Sequence, residues 1–212
     1  MRLSPFAPLV PFAEVRASLP DHEFVEIDGQ QIHLIDQGDG PTIFLLHGFA
    51  ASAHTFRELV PLLAKDFRVL ALDLNGFGST ERPSNRADYS RIAQARLIRR
   101  LAEALGIREV TVVGHSYGAS VAMTIAQEYP DFAERLVLVS PAASFPPPPW
   151  YLRNGIALRA AYWATRGLLS QPERFRRIIE DSFQRPDILT DSLSEYYRRS
   201  MLVEGFKTAF FG

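Results

Sequence analysis

The chain has 212 residues, a length that predicts one α/β domain with an insertion. Its 23 Lys and Arg residues balance 24 Asp and Glu residues and no basic run stands out, so the composition argues against a nucleic acid as a partner. The absence of cysteine excludes disulfides, thiol nucleophiles and thiolate metal sites.

The N-terminal region carries a short apolar patch at residues 6–13, interrupted by Pro8 and Pro11. Glu14 and Arg16 follow it without a convincing small-residue cleavage site, so the patch does not predict a secretory signal. No uninterrupted apolar run reaches the length of a membrane span. We therefore expect no membrane span and a cytoplasmic protein.

The predicted core begins with strands at the edge of a sheet. Residues 24–27 and 31–37 alternate apolar and polar side chains and predict an antiparallel hairpin. Residues 42–46 are continuously apolar and predict a buried strand that ends at His47-Gly48-Phe49-Ala50. A helix is predicted at residues 55–64.

A further strand and helix continue the alternation. The strand at residues 68–72 leads into the loop Asp73-Leu74-Asn75-Gly76-Phe77-Gly78-Ser79-Thr80. We expect the glycines and Asp73 to shape this turn, and we assign the loop no chemical role. A helical period over residues 90–105, with Gly106 as a C-cap signal, follows.

The most informative stretch is Gly114-His115-Ser116-Tyr117-Gly118. It lies between a β-branched run, which predicts a buried parallel strand, and a small-residue run at residues 119–129, which predicts a helix. Glycine has no Cβ to clash where the chain doubles back, so Ser116 is predicted at a strained tip with its hydroxyl facing solvent. The helix points its N-terminus at this serine, and its dipole favours negative charge there.

After a strand at residues 136–140 the pattern changes. Phe145-Pro146-Pro147-Pro148-Pro149-Trp150 fits neither a helix nor a strand interior and therefore marks a boundary. The remaining sequence is rich in aromatic residues and predicts helices at residues 154–166, 172–183, 189–202 and 204–211.

These motifs resemble those of the α/β-hydrolase fold superfamily, in particular its cap-bearing, esterase- or lipase-like serine hydrolases. The resemblance rests on GHSYG between a strand and a helix, and on His47-Gly48 one βαβα unit earlier. It implies an α/β fold with a mostly parallel sheet and helices on both faces. The hydrolase core is expected at residues 1–144 and a helical cap at residues 145–212.

The superfamily pattern also continues beyond what this sequence holds. It implies a seventh strand carrying a catalytic acid and an eighth preceding a histidine, so about 60 residues or more of that pattern are missing. The strand at residues 136–140 is then an open apolar edge. Because such an edge templates pairing, we expect self-association through it.

The resemblance also implies roles for particular residues. Ser116 is the expected nucleophile, and the backbone N–H groups of Phe49 and Tyr117 form the expected oxyanion hole. His47 is expected to brace its loop rather than to act as an acid or base. No cofactor and no metal ion are implied. The expected substrate-binding residues are His47, Gly48, Phe49, His115, Tyr117 and Trp150.

The base that such a serine needs is absent from its expected place. In this superfamily an acid and then a histidine follow the serine, and the histidine takes the proton of the hydroxyl. Here no histidine follows Ser116, and we expect the side chain of His115 to diverge from the serine at so tight a turn. The shortened chain is expected to be impaired. The five histidines are His22, His33, His47, His54 and His115.

The expected function is hydrolysis of an ester or related acyl bond of a small, largely apolar substrate. Serine at the nucleophile position argues against haloalkane dehalogenases and epoxide hydrolases, for which the resemblance implies aspartate. Carbon–carbon bond hydrolases, perhydrolases and hydroxynitrile lyases remain open. The alternative is a non-catalytic protein of this fold that binds an apolar small molecule or a partner protein under the cap.

Overall fold

The computed structural model describes residues 6–20, 23–142, 155–181 and 183–211. Trp150 and the boundary predicted between residues 144 and 145 lie outside these ranges. The described strands are β1 (Phe24–Ile27), β2 (Gln30–Gln37), β3 (Thr42–Leu46), β4 (Arg68–Leu72), β5 (Val110–His115) and β6 (Ala133–Val139). The described helices are α1 (Phe12–Ala17), α2 (Val60–Leu63), α3 (Arg91–Ala104), α4 (Tyr117–Glu128), α5 (Gly155–Leu169), α6 (Pro172–Glu180), α7 (Asp191–Ser200) and α8 (Phe206–Phe211).

The strands form one sheet in the order β1-β2-β4-β3-β5-β6. The β1–β2 and β2–β4 pairs are antiparallel, and the β3–β4, β3–β5 and β5–β6 pairs are parallel. The predicted α/β class with a mostly parallel sheet is confirmed. The carboxyl ends of β3, β4 and β5 share one edge of the sheet, and the residues that follow them are brought together there.

Apolar side chains cover both faces of the sheet. Because side chains alternate along a strand, Phe44 and Leu46 face α3 and α4, whereas Leu45 faces Phe56 and Val60 on the other side. Both faces are buried, which is why β3 and β4 are continuously apolar. The helices predicted at residues 90–105 and 119–129 correspond to α3 and α4.

The four C-terminal helices have a core of their own. Tyr162 of α5, Phe175 of α6 and Phe206 of α8 are buried in one cluster with Leu169 and Leu202. The ring of Tyr162 lies 5.8 Å from that of Phe206. Aromatic residues therefore hold these helices together. The four helices predicted for this region are present with shifted ends, and α5 to α8 are called the cap below.

The N-terminal segment joins the cap to the sheet, which the sequence did not predict. The backbone N–H of Val10 donates to the carbonyl of Leu202 at 2.7 Å, and that of Glu204 donates to the carbonyl of Val10 at 2.8 Å. Phe12, at the start of α1, packs edge-on against Phe24 of β1 with ring centroids 6.4 Å apart. Residues 6–17 therefore contact both the C-terminal region and the sheet.

The helix predicted at residues 55–64 is wrong in extent. A 3₁₀ turn at Ala53–Phe56 is followed by the single turn of α2. Proline has no N–H, so Pro61 interrupts the hydrogen bonds that a continuous helix would need.

The outer edge of β6 has no neighbouring strand among the described residues. Val137, Leu138 and Val139 are 47%, 38% and 46% exposed there. Self-association through this edge stays a prediction. In the part of the chain that the structure describes, no helix combines the length and apolarity needed to cross a membrane.

Candidate active site

Ser116 occupies a strained turn between β5 and α4. Its backbone has φ 52° and ψ −112°, a conformation that L-residues other than glycine rarely adopt. Serine at a helix N-cap usually accepts a hydrogen bond from the first turn, yet the Ser116 hydroxyl makes no capping bond. The strain and the free hydroxyl together leave Oγ available for other chemistry.

The two glycines of the motif permit close backbone approaches. A Cβ at Gly114 would lie 2.5 Å from the Ala119 Cα, and a Cβ at Gly118 would lie 2.2 Å from the Leu46 carbonyl oxygen. Both distances are far below normal contact. Gly114 therefore lets α4 approach β5, and Gly118 lets the helix start pack against the end of β3.

The loop after β3 lies directly beside the serine. A Cβ built on Gly48 would be 3.3 Å from the Ser116 Cβ. The backbone N–H groups of Phe49 and Tyr117 donate to no acceptor within the described ranges. Two amides without an acceptor therefore adjoin this contact, that of Phe49 in the loop after β3 and that of Tyr117 directly after Ser116.

His47 stabilises this loop. Its side chain is fully buried, Nδ1–H donates to the Gly48 carbonyl at 2.7 Å, and Nε2 accepts from the Leu74 N–H at 3.1 Å. Burial lowers the pKa of His47, which keeps the ring neutral as this donor–acceptor pattern requires. Both ring nitrogens are occupied by backbone groups, so neither is left for a substrate.

A cavity of about 870 Å³ lies between the core and the cap, and Tyr117, the residue after Ser116, lines it. Phe49 is 69% exposed and lies at this cavity. The cap contributes Leu158, Ala161, Thr165, Met201, Phe206, Ala209 and Phe210. The core contributes Phe49, Ala50, Asn75, Gly76, Phe77, Tyr89, Ser90, Arg91 and Tyr117.

The family is identified by a match over most of the chain. Residues 41–194 match the family model described as the alpha/beta hydrolase fold. The chain belongs to the α/β hydrolase family. The match includes the strand before His47, the turn at Ser116 and much of the cap.

Individual relatives of this α/β hydrolase cover it to different extents. An uncharacterized protein from Mycobacterium tuberculosis is 40% identical over 121 residues, which are 57% of this chain and 35% of that protein. A soluble epoxide hydrolase from Corynebacterium sp. is 31% identical over 195 residues, 85% of this chain and 67% of that protein. The structure of the epoxide hydrolase CorEH without ligand has a TM-score of 0.73 at 29% identity, covering 88% of this chain and 70% of that one.

These matches span about a third of the first relative's length and about two thirds of the other two.

No described histidine of the chain bonds to the Ser116 hydroxyl. His115 Nδ1 is buried without a partner in the described part of the chain, and it lies against Gly48. The ring of His54 lies against that of Tyr196 of α7, tilted by 37° with centroids 4.4 Å apart. His33 bonds to Asp73 and Glu23. The structure therefore assigns no proton acceptor for Ser116 among these histidines.

Asp73 fixes the loops that build the site. Its Oδ1 accepts from the Ala53 N–H at 2.6 Å, and its Oδ2 accepts from the Ser79 N–H and from His33 Nδ1, each at 2.7 Å. The carboxylate thus ties the loop after β3 to the loop after β4. We expected Asp73 to shape its own turn, but the sequence did not reveal His33, 40 residues away, as its partner.

The charges of Asp73 and His33 stabilise each other. Burial alone would raise the pKa of Asp73, but the charge of His33 and the hydrogen bond from it leave that pKa below its ordinary value. Burial alone would lower the pKa of His33, but the Asp73 and Glu23 carboxylates leave it above its ordinary value. The pair is therefore ionised over a wider pH range than isolated groups would be.

Phe77 is a cavity residue that the sequence did not single out. Its ring lies 5.3 Å from that of Phe49 and 6.1 Å from that of Tyr117, both edge-on. It comes from the loop after β4, to which we assigned no chemical role. The only sequence signal was an aromatic residue between two glycines in a loop that follows a buried strand.

The structure offers no metal site in the described ranges. No group of three His, Asp or Glu side chains there is placed to hold a metal ion. Trp150, expected to bind substrate, lies outside those ranges.

Proposed function

We propose that the chain carries the nucleophile of a serine hydrolase that acts on an ester or related acyl bond of a small, largely apolar substrate. The observation that carries this proposal is the Ser116 hydroxyl, free of any capping bond at a strained turn whose next residue, Tyr117, lines a largely apolar cavity. Strain of this kind persists only where the surrounding structure enforces it, and it is common at active sites.

The proposed chemistry begins with attack of Ser116 Oγ on the acyl carbonyl carbon. The carbonyl oxygen becomes an oxyanion, which the N–H groups of Phe49 and Tyr117 stabilise. Its collapse breaks the ester C–O bond, and the alcohol leaves with the proton that the serine hydroxyl gave up. Water then releases the acyl group from the serine. Each preorganised donor typically contributes about 3 kcal/mol to such a transition state. The proposal assigns the proton acceptor to none of the described histidines.

The nucleophile type separates this proposal from the epoxide hydrolases among the relatives. In the superfamily pattern, epoxide hydrolases use aspartate at this position. A carboxylate displaces oxygen or halide at a saturated carbon, whereas a serine hydroxyl suits addition to an acyl carbonyl. The proposal therefore follows Ser116 and not the names of the relatives.

A non-catalytic binding protein is the second candidate. It is favoured by one observation, the lack of a hydrogen bond between any described histidine and the Ser116 hydroxyl. In this case the cavity would hold an apolar molecule or a partner segment, and Ser116 would be inert. The oxyanion loop would then have no role.

Fluorophosphonate labelling with added imidazole distinguishes the two candidates. The probe reacts with serine nucleophiles, and free imidazole supplies the base that the described residues do not provide. We expect slow labelling alone and labelling roughly tenfold faster or more with imidazole, because a positioned base contributes factors of that order or larger. Peptide mass spectrometry locates the label at Ser116.

Two variants serve as controls. Ser116→Ala is expected to abolish the imidazole-dependent labelling. Ser90→Ala removes another serine of the same cavity and is expected to label as the unmodified protein does. A label on another residue, or labelling that imidazole does not accelerate, would contradict the proposed function and favour the binding protein.

A further inference from the structure

We propose that Arg91 forms a carboxylate-binding end of the cavity, so that the substrates of Ser116 carry a carboxylate on an apolar body. This inference rests on the proposed function for its statement about substrates. The binding site itself is tested independently of Ser116.

Arg91 stands out from the other residues that line the cavity. Among the described residues that line the cavity it alone bears a charge, and most of the others are apolar or aromatic. Arg91 is also exposed, so it lies at the open side of the cavity and not beneath it. A ligand with its apolar part against Phe77 and Phe206 would meet one cation where the cavity opens.

The guanidinium of Arg91 has no counter-ion within the described ranges. Two other arginines of α3 are paired, Arg99 with Glu103 and Arg100 with Asp28. Solvent hydrates the guanidinium at the rim of the cavity, and an anion that enters the cavity can pair with it.

The shape of the guanidinium favours a carboxylate. Its planar set of N–H donors matches the two oxygens of a carboxylate, which can form parallel hydrogen bonds. A neutral amide offers one acceptor and no charge. The rest of the cavity wall favours an aryl or alkyl body, so an arylalkanoate combines both features.

Isothermal titration with hydrocinnamate and with its neutral amide, hydrocinnamide, measures this preference. The two probes share a phenyl ring and chain length and differ only at the head group. We expect the carboxylate to bind about fivefold more tightly, the range of a partly exposed ion pair, and this preference to fall in high salt.

Variants of α3 provide the test of the residue. Arg91→Gln is expected to bring the two affinities within about twofold of each other. Arg96→Gln removes an exposed arginine of the same helix that does not line this cavity, and it is expected to leave the preference unchanged. Equal affinities in the unmodified protein, a preference that survives Arg91→Gln, or failure of both probes to bind would each overturn the inference.

The outcome is separable from that of the proposed function. Ser116→Ala is expected to bind both probes as the unmodified protein does, because no covalent step is involved. A carboxylate preference without labelling of Ser116 would retain the binding site and reject the serine hydrolase. Labelling of Ser116 without a carboxylate preference would retain the serine hydrolase and reject the binding site at Arg91.

Discussion

Gly118→Ala is expected to lower the free energy of unfolding by about 3 kcal/mol or more. The new Cβ would lie 2.2 Å from the Leu46 carbonyl oxygen and 2.6 Å from that of His47. Both atoms belong to backbone at the end of a central strand, which cannot move without disturbing the sheet. Urea denaturation followed by circular dichroism measures the change.

Gly155→Ala is the matched control. Gly155 begins α5, and a Cβ built there meets no atom of the described residues within 4 Å. Alanine favours helix over glycine, so this variant is expected to be as stable as the unmodified protein or slightly more so. Equal effects of the two substitutions would contradict the close packing of α4 against β3.

Asp73→Ala is expected to destabilise the fold by about 4 kcal/mol. The substitution removes the acceptor of three donors, the Ala53 and Ser79 N–H groups and the imidazole of His33. A buried donor that loses its partner retains the full cost of desolvation, and here one donor is a charged ring. Denaturation at a pH near 6 measures the loss.

Asp36→Ala provides the comparison for Asp73. Asp36 pairs with Arg68 at 2.6 Å, but both side chains are about 30% exposed. Solvent screens such a pair, so the expected loss is at most about 1 kcal/mol. Similar losses in the two variants would contradict a special role for the buried carboxylate.

The pair of His33 and Asp73 predicts that stability depends on pH. The pKa of His33 is raised above 6.5, so its contribution is complete below that pH and is lost as the pH rises through the folded-state value. The pKa of Asp73 is lowered below 3.8, so its contribution is present above that pH and is lost on acidification. The contribution of the pair is therefore greatest between pH 3.8 and 6.5. His33→Gln is expected to remove the loss of stability on the alkaline side, and an unchanged slope would contradict this assignment.

The core of the fold could be predicted from the sequence because its signals are local. Continuous apolar runs mark β3 and β4, and a helical period followed by Gly106 marks α3. Contacts between distant residues could not be predicted in this way. The parallel bridge between Val10 and Val203 depends on the placement of the cap, and nothing in either short segment indicates it.

The same distinction between local signals and distant contacts applies to the site. The turn at Ser116 was predictable because Gly114 and Gly118 are its neighbours in sequence. The roles of Phe77 and His33 were not, because each depends on a neighbour from another strand or loop. His47 shows the intermediate case: its bracing role was expected from its position, but its bond with Leu74 required the structure.

The most direct test of the central claim is a crystal structure of the phosphonylated protein. The claim is that Ser116 is the nucleophile and that the amides of Phe49 and Tyr117 stabilise the oxyanion. We expect phosphorus bonded to Ser116 Oγ and one phosphonyl oxygen about 3 Å from both backbone nitrogens. Phosphorus on another residue, or a phosphonyl oxygen beyond the reach of both amides, would contradict the claim.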